Sequence, residues 1–169
     1  MAGNEKSDVN ARSRPTLGGP EGQVQRIRVL VVDDEPTLLE TVEAVLEGDF
    51  EVACCRSGSE ALELLSRTSF DVVCTDYKMP GMDGMELITR IAALELSLGA
   101  VLMTGKAELY FKEQIQTDIA KTLPLSVVLK PYRVDELIDA INRAAAFVRM
   151  RRAVSAASRS VRGIKGQPL

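Results

Sequence analysis

With 169 residues, 46% apolar and 27% charged, the chain has room for one domain of ordinary size plus tails, and it shows no apolar run near the ~20 residues of a membrane span. It contains no histidine, so any chemistry must run on carboxylates, hydroxyls, lysines or a metal, and three cysteines without metal-ligand spacing read as reduced core thiols of a cytoplasmic protein. The net charge of −3 conceals an acidic body, 11 basic against 21 acidic side chains over residues 27–148, and a basic end with six cations and no acid over residues 149–169.

Residues 1–25 are rich in Gly, Pro, Ser and charge without an apolar period, and read as a disordered N-terminal tail. Arg28–Val32 is a β-branched run that ends on Asp33 and Asp34. Pro36 suits the first turn of a following helix, whose expected buried stripe is Leu38, Leu39, Val42, Val45 and Leu46. Glu51–Cys55 forms a second strand. Ser57 to Glu60 spells a capping box before a helix carrying Ala61, Leu62, Leu64 and Leu65. The third apolar run, Val72 to Cys74, leads to a carboxylate, Asp76, and then to a turn-rich segment from Met79 to Gly84.

Asp83 and Glu86 start a third helix, with Leu87, Ile88, Ile91 and Leu94 expected behind it. Ala100–Met103 is the fourth strand, Ala107–Ala120 a fourth helix and Leu125–Leu129 the fifth strand. Pro131 breaks that strand, and a last helix starts near Asp135. Its stripe is Leu137, Ile138, Ile141, Ala144, Ala145 and Val148, and "RMRRAVSAASRS" either continues the helix or frays into solvent.

Five βα units in succession predict an α/β fold, a parallel sheet covered by helices on both faces. Ligands of such sheets lie beyond the carboxyl ends of the strands. Asp33, Asp34, Asp76, Thr104 and Lys130 all fall on that edge. Singly, each has a bland reading: Asp34 as N-cap of the Pro36 helix, Asp76 as a turn residue, Thr104 as a satisfied hydroxyl, Lys130 as a solvated charge. Jointly they conflict, because three converging carboxylates repel one another unless one takes a proton or a cation intervenes. A hard divalent ion, Mg²⁺, relieves the conflict, and Lys130 adds a second positive charge. Such a site is built to receive a phosphoryl group.

Four segments, "VLVVDDEP" at 29–36, "DVVCTDYKMPGMDGMELI" at 71–88, "VLMTGKAE" at 101–108 and "VVLKPY" at 127–132, resemble the receiver domains of two-component response regulators. The likeness is to the stand-alone, chemotaxis-regulator-like kind. It implies a flavodoxin-like, doubly wound five-stranded sheet in the order 2-1-3-4-5. The receiver would cover residues 26–150, followed by a basic tail over 151–169.

By position, the resemblance makes Asp76 the phosphoacceptor and Asp33 and Asp34 the acidic pair that holds Mg²⁺. Asp76 and the Lys78 backbone carbonyl complete the metal set. Thr104 would bond the phosphoryl oxygen and Lys130 would pair with it, aimed inward by a cis Lys130–Pro131 bond. The donor would be a phosphohistidine of a sensor histidine kinase or a phosphotransfer protein. The acyl phosphate would then shift the face made by the fourth helix, fifth strand and last helix, to regulate a downstream protein partner. The chain would phosphorylate and dephosphorylate itself without being a turnover enzyme.

Three departures from the family pattern imply an atypical output face. Val127 stands where the family's switch aromatic lies, the spacing from Thr104 to Lys130 is a few residues long, and "QTDIAKTLPLS" lacks the family's Gly-Ala element. Two other readings stand beside the leading one. The first is a receiver-like docking module that signals without phosphate. The second is an Mg²⁺-dependent phosphohydrolase of the haloacid-dehalogenase type, which wants a second acid where this chain has Lys78. The 38 residues after Pro131 are too few for a DNA-binding effector domain. The basic tail reads as a solvated end, a contact to a partner or in a homodimer, or a hold on an anionic surface.

Overall fold

The computed structural model describes residues 26–105 and 123–164, with backbone alone at residue 156 and residues 158–164. The expected N-terminal tail, the Ala107–Ala120 helix and the last five residues lie outside the described residues. The strands are β1 (Arg28–Val32), β2 (Glu51–Cys55), β3 (Val72–Asp76), β4 (Gly99–Gly105) and β5 (Leu125–Lys130). The described helices are α1 (Pro36–Leu46), α2 (Gly58–Arg67), α3 (Gly84–Ala93) and α4 (Val134–Ile164). All strand pairs are parallel and the order is β2-β1-β3-β4-β5, the flavodoxin-like arrangement.

Strand periodicity explains the layers. Val29, Val31, Cys74, Val101, Met103 and Val128 face one side and pack with α1 and α4. Leu30, Val32, Val73, Ala100 and Leu102 face the other and pack with α2 and α3. Side chains of both parities are apolar because a parallel sheet is covered twice. The cysteines follow suit. Cys55 and Cys74 are buried, Cys54 is half-buried, and all three are free thiols. Burial pushes Cys54 up to about 11 and Cys55 up to about 12, and Cys74 higher still, so they remain protonated and inert.

Several local expectations are corrected. Glu35, not Asp34, is the N-cap of α1, with no side-chain cap bond and Pro36 at the first helical position. A proline there removes one of the amides a cap would have to satisfy. Val45 is 39% exposed and Leu38 half-buried, because they flank the Leu39–Val42–Leu46 stripe. Both line an apolar groove of ≈ 730 Å³ between α1 and the start of α4.

Ser57 Oγ accepts from the Glu60 amide at 3.2 Å, but the Glu60 carboxylate accepts from the Arg56 amide at 2.9 Å. That is one residue upstream of the amide a capping box engages. Asp83 caps α3, its Oδ1 accepting from the Glu86 amide at 2.7 Å. Leu94 is 56% exposed where burial was expected. It is the C-cap of α3, and Glu95 beyond it turns the chain away with φ of 51°.

α4 lies directly on the sheet. A Cβ at Gly99 would meet Ala144 Cβ at 2.9 Å, and Leu137, Ala140, Ile141, Ala144, Ala145 and Val148 are buried. The helix then runs unbroken through residues 150 and 151 to Ile164. Just past the buried stripe Arg152 fastens it to the amino edge of the sheet. Its Nη1 lies 2.8 Å from Asp71 Oδ1, its Nε donates to Ser97 Oγ at 3.2 Å and its Nη2 to the Ser97 carbonyl at 2.5 Å.

Candidate functional site

The parallel register gathers the expected site residues on one edge. Val32 pairs with Thr75, Asp76 with Met103, Thr104 with Leu129 and Gly105 with Lys130. Asp33 therefore follows β1 beside the tip of β3, and Thr104 and Lys130 close the carboxyl ends of β4 and β5. Asp33, Asp76 and Thr104 are 2%, 8% and 4% exposed. Buried carboxylates need compensation.

Lys130 supplies it. Its Nζ lies 2.6 Å from Asp76 Oδ1 and 3.1 Å from Asp33 Oδ2. The second oxygen of each carboxylate accepts a backbone amide, Asp33 Oδ1 from Glu35 at 3.0 Å and Asp76 Oδ2 from Lys78 at 2.8 Å. Burial pulls the Lys130 ammonium down. The hydrogen bonds and charges of Asp76 and Asp33 outweigh that pull and hold it above the ordinary lysine value. The Lys130–Pro131 peptide bond is cis.

Two of the three expected carboxylates, Asp33 and Asp76, share the Lys130 ammonium. Asp34 is only half-buried, and among the described residues no group of three acidic, Cys or His side chains is close enough to hold a metal. The pair still suits a hard cation. All its donors are oxygens, and two carboxylates against one ammonium leave a net negative charge, while Mg²⁺ commonly takes one or two carboxylates and keeps waters.

Thr104 is buried, and its Oγ1 donates to the Gly105 carbonyl at 3.4 Å. Val127 is half-buried and packs with the α2–α3 side of the core. Tyr132 packs on the other side, its hydroxyl 3.4 Å from Met103 Sδ.

One residue of the site escaped the sequence reading. A Cβ at Gly84 would lie 2.1 Å from the Asp76 carbonyl oxygen, so only glycine lets the start of α3 approach the tip of β3. The available signal was a helix-opening glycine directly after its N-cap, where glycine is otherwise an unfavourable choice.

The chain matches the family model for the response regulator receiver domain over residues 29–142. The two-component response regulator ARR11 of Arabidopsis thaliana is 36% identical over 114 residues, 66% of this chain and 21% of that protein. The response regulator receiver domain protein of Clostridium thermocellum has a TM-score of 0.65 at 29% identity, covering 73% of this chain and 98% of its own. The adenylate cyclase of Rhodopirellula baltica has a TM-score of 0.74 at 27% identity, covering 80% of this chain and 98% of its own. The chain therefore belongs to the response regulator receiver family. It is a receiver domain of two-component signalling, and it spans about a quarter of the length of the curated relatives it matches.

Proposed function

We propose that this receiver is a cytoplasmic phosphorylation switch in which Asp76 takes a phosphoryl group from a phosphohistidine of a sensor histidine kinase or phosphotransfer protein. The observation that carries the reading is the buried Asp76 carboxylate at a strand tip, held between the Lys78 amide and the Lys130 ammonium. An Asp76 oxygen attacks phosphorus and the P–N bond breaks. The leaving imidazole nitrogen keeps the electron pair and takes up a proton, and an acyl phosphate forms.

Lys130, already 2.6 Å from Asp76, is placed to offset charge on the phosphoryl oxygens. The Thr104 hydroxyl donates to one of them once its loop moves inward. Asp33, Asp34, Asp76 and the Lys78 carbonyl would hold Mg²⁺, which when bound supplies further charge neutralisation at those oxygens. Movement of Thr104 biases a two-state equilibrium read by a partner protein.

A second reading, docking without phosphate, is favoured by Val127 alone, a half-buried aliphatic residue with no ring to swing. Incubation of the full chain with acetyl phosphate and Mg²⁺, read by intact mass, separates the possibilities. One added phosphoryl group is expected, lost in Asp76→Asn and on chelation. No gain by the unaltered chain would leave the docking reading. Undiminished labelling of Asp76→Asn would remove Asp76 as the acceptor. Steady phosphate release without a stable adduct would point to a phosphohydrolase.

A further inference from the structure

α4 carries a second apolar pattern that the sheet does not cover. Phe147, Met150 and Val154 are 43%, 58% and 60% exposed, and Ala157 is exposed as well. The sequence continues the spacing at Val161 and Ile164, on a backbone that is helical to Ile164. The steps run three, four, three, four, three, the a and d positions of a heptad. At ~100° per residue, this stripe lies roughly 140° around the helix from the one packed on the sheet.

Charge is partitioned around it. Arg149, Arg152, Arg159 and Arg162 occupy c, f, f and b positions, away from the seam. Arg151 falls at e. The g positions Ala146, Ala153 and Ser160 are small and uncharged. In a parallel pair g of one helix faces e of the other, so Arg151 would meet Ala146. In an antiparallel pair e faces e and g faces g, so Arg151 would lose its small, neutral neighbour Ala146.

We propose that residues 147–164 form the seam of a parallel two-stranded coiled coil with a second copy of this chain. On a straight helix a heptad stripe drifts ~20° per repeat, and a partner helix that supercoils with it follows that drift where a flat lipid surface does not. The stripe is also narrow, two positions in seven, as a helix–helix seam requires. About two and a half heptads fall short of the three or four that mark an independent coiled coil. Packing of residues 137–148 on the sheet, and the Arg152 contacts to Asp71 and Ser97, make up the difference. They nucleate the helix in advance, so the extension needs only propagation.

The test is sedimentation equilibrium of the full chain over rising concentration. A reversible dimer is expected, weakened about tenfold or more by Val154→Asp and unchanged by Arg159→Asp, with circular dichroism showing both variants folded. In a Cys54→Ser background, Val154→Cys should oxidise to an interchain disulfide and Ser155→Cys should not. A monomer at every concentration, or a dimer indifferent to Val154→Asp, overturns the proposal. A dimer that fails to cross-link at Val154→Cys overturns the parallel arrangement. Co-sedimentation with phosphatidylserine vesicles in place of self-association assigns the stripe to a membrane surface, and overturns the proposal too.

Discussion

Lys130 is the residue on which the electrostatics of the site turn. Without it, Asp33 and Asp76 would be two buried carboxylates in one small volume. Its raised folded pKa means that its contribution to stability is complete below the unfolded lysine value of about 10.4, and is lost as pH rises through the higher folded value. The thiols act earlier in the same direction. Cys54 and Cys55, held up to about 11 and about 12 by burial, stay neutral in the folded chain while unfolded thiols ionise from about pH 8.5. Denaturation midpoints in urea should therefore fall as pH rises from about 8.5 upward. The first part of that fall should shrink in a Cys54→Ala, Cys55→Ala variant compared with its own neutral midpoint, leaving the share of the buried Cys74 thiol. A midpoint that holds steady through pH ~11 would contradict the burial of these groups.

The join between β3 and α3 shows how an element boundary positions a single carboxylate. Asp83 caps the helix, and Gly84 lets its first turn lie against the Asp76 carbonyl. The Gly84 amide donates to the Tyr77 carbonyl at 2.9 Å, and the Tyr77 amide to the Met103 carbonyl at 2.8 Å. Gly84→Ala puts a methyl into backbone that cannot rotate away, so the tip of β3 must shift. The expected cost is about 1–3 kcal/mol in a urea titration, with a larger proportional loss in the rate of Asp76 phosphorylation. A variant of unchanged stability and rate would mean that the two segments separate freely. The cap itself was legible, since Asp83 and Glu86 stand at capping spacing. The Leu94 and Val45 errors have a common cause. Helical period reports which face is apolar, but not where the neighbouring element stops covering it.

Across the molecule, the body and the basic end are joined by geometry as well as by opposite charge. Arg152 reaches Asp71, which also accepts the Arg28 amide at 3.0 Å, so α4 is tied to the edge opposite the site. The pair is partly exposed, 46% and 19% by side chain, and salt will weaken it. Removing residues 153–169 keeps Arg152 and the buried stripe. Thermal and urea stability of the monomer should change by less than about 0.5 kcal/mol, and phosphorylation of Asp76 should proceed at the same rate. A larger loss would show that the extension folds back onto the body beyond Arg152.

Alternation of apolar strands with amphipathic helices was enough to specify a parallel α/β sheet, and with it the rule that Asp33, Asp76, Thr104 and Lys130 share the carboxyl edge. Those are local and periodic properties, and periodicity is written in the chain. Strand order is not. It comes from how the layers pack, and it is the adjacency of β1 and β3 that brings Asp33 to Asp76 and lets one ammonium, 97 residues further on, serve both. The close approach at Gly84 and the hold of Arg152 on Asp71 belong to the same class. Each depends on distances between segments far apart in sequence, and pattern along one segment carries no information about them.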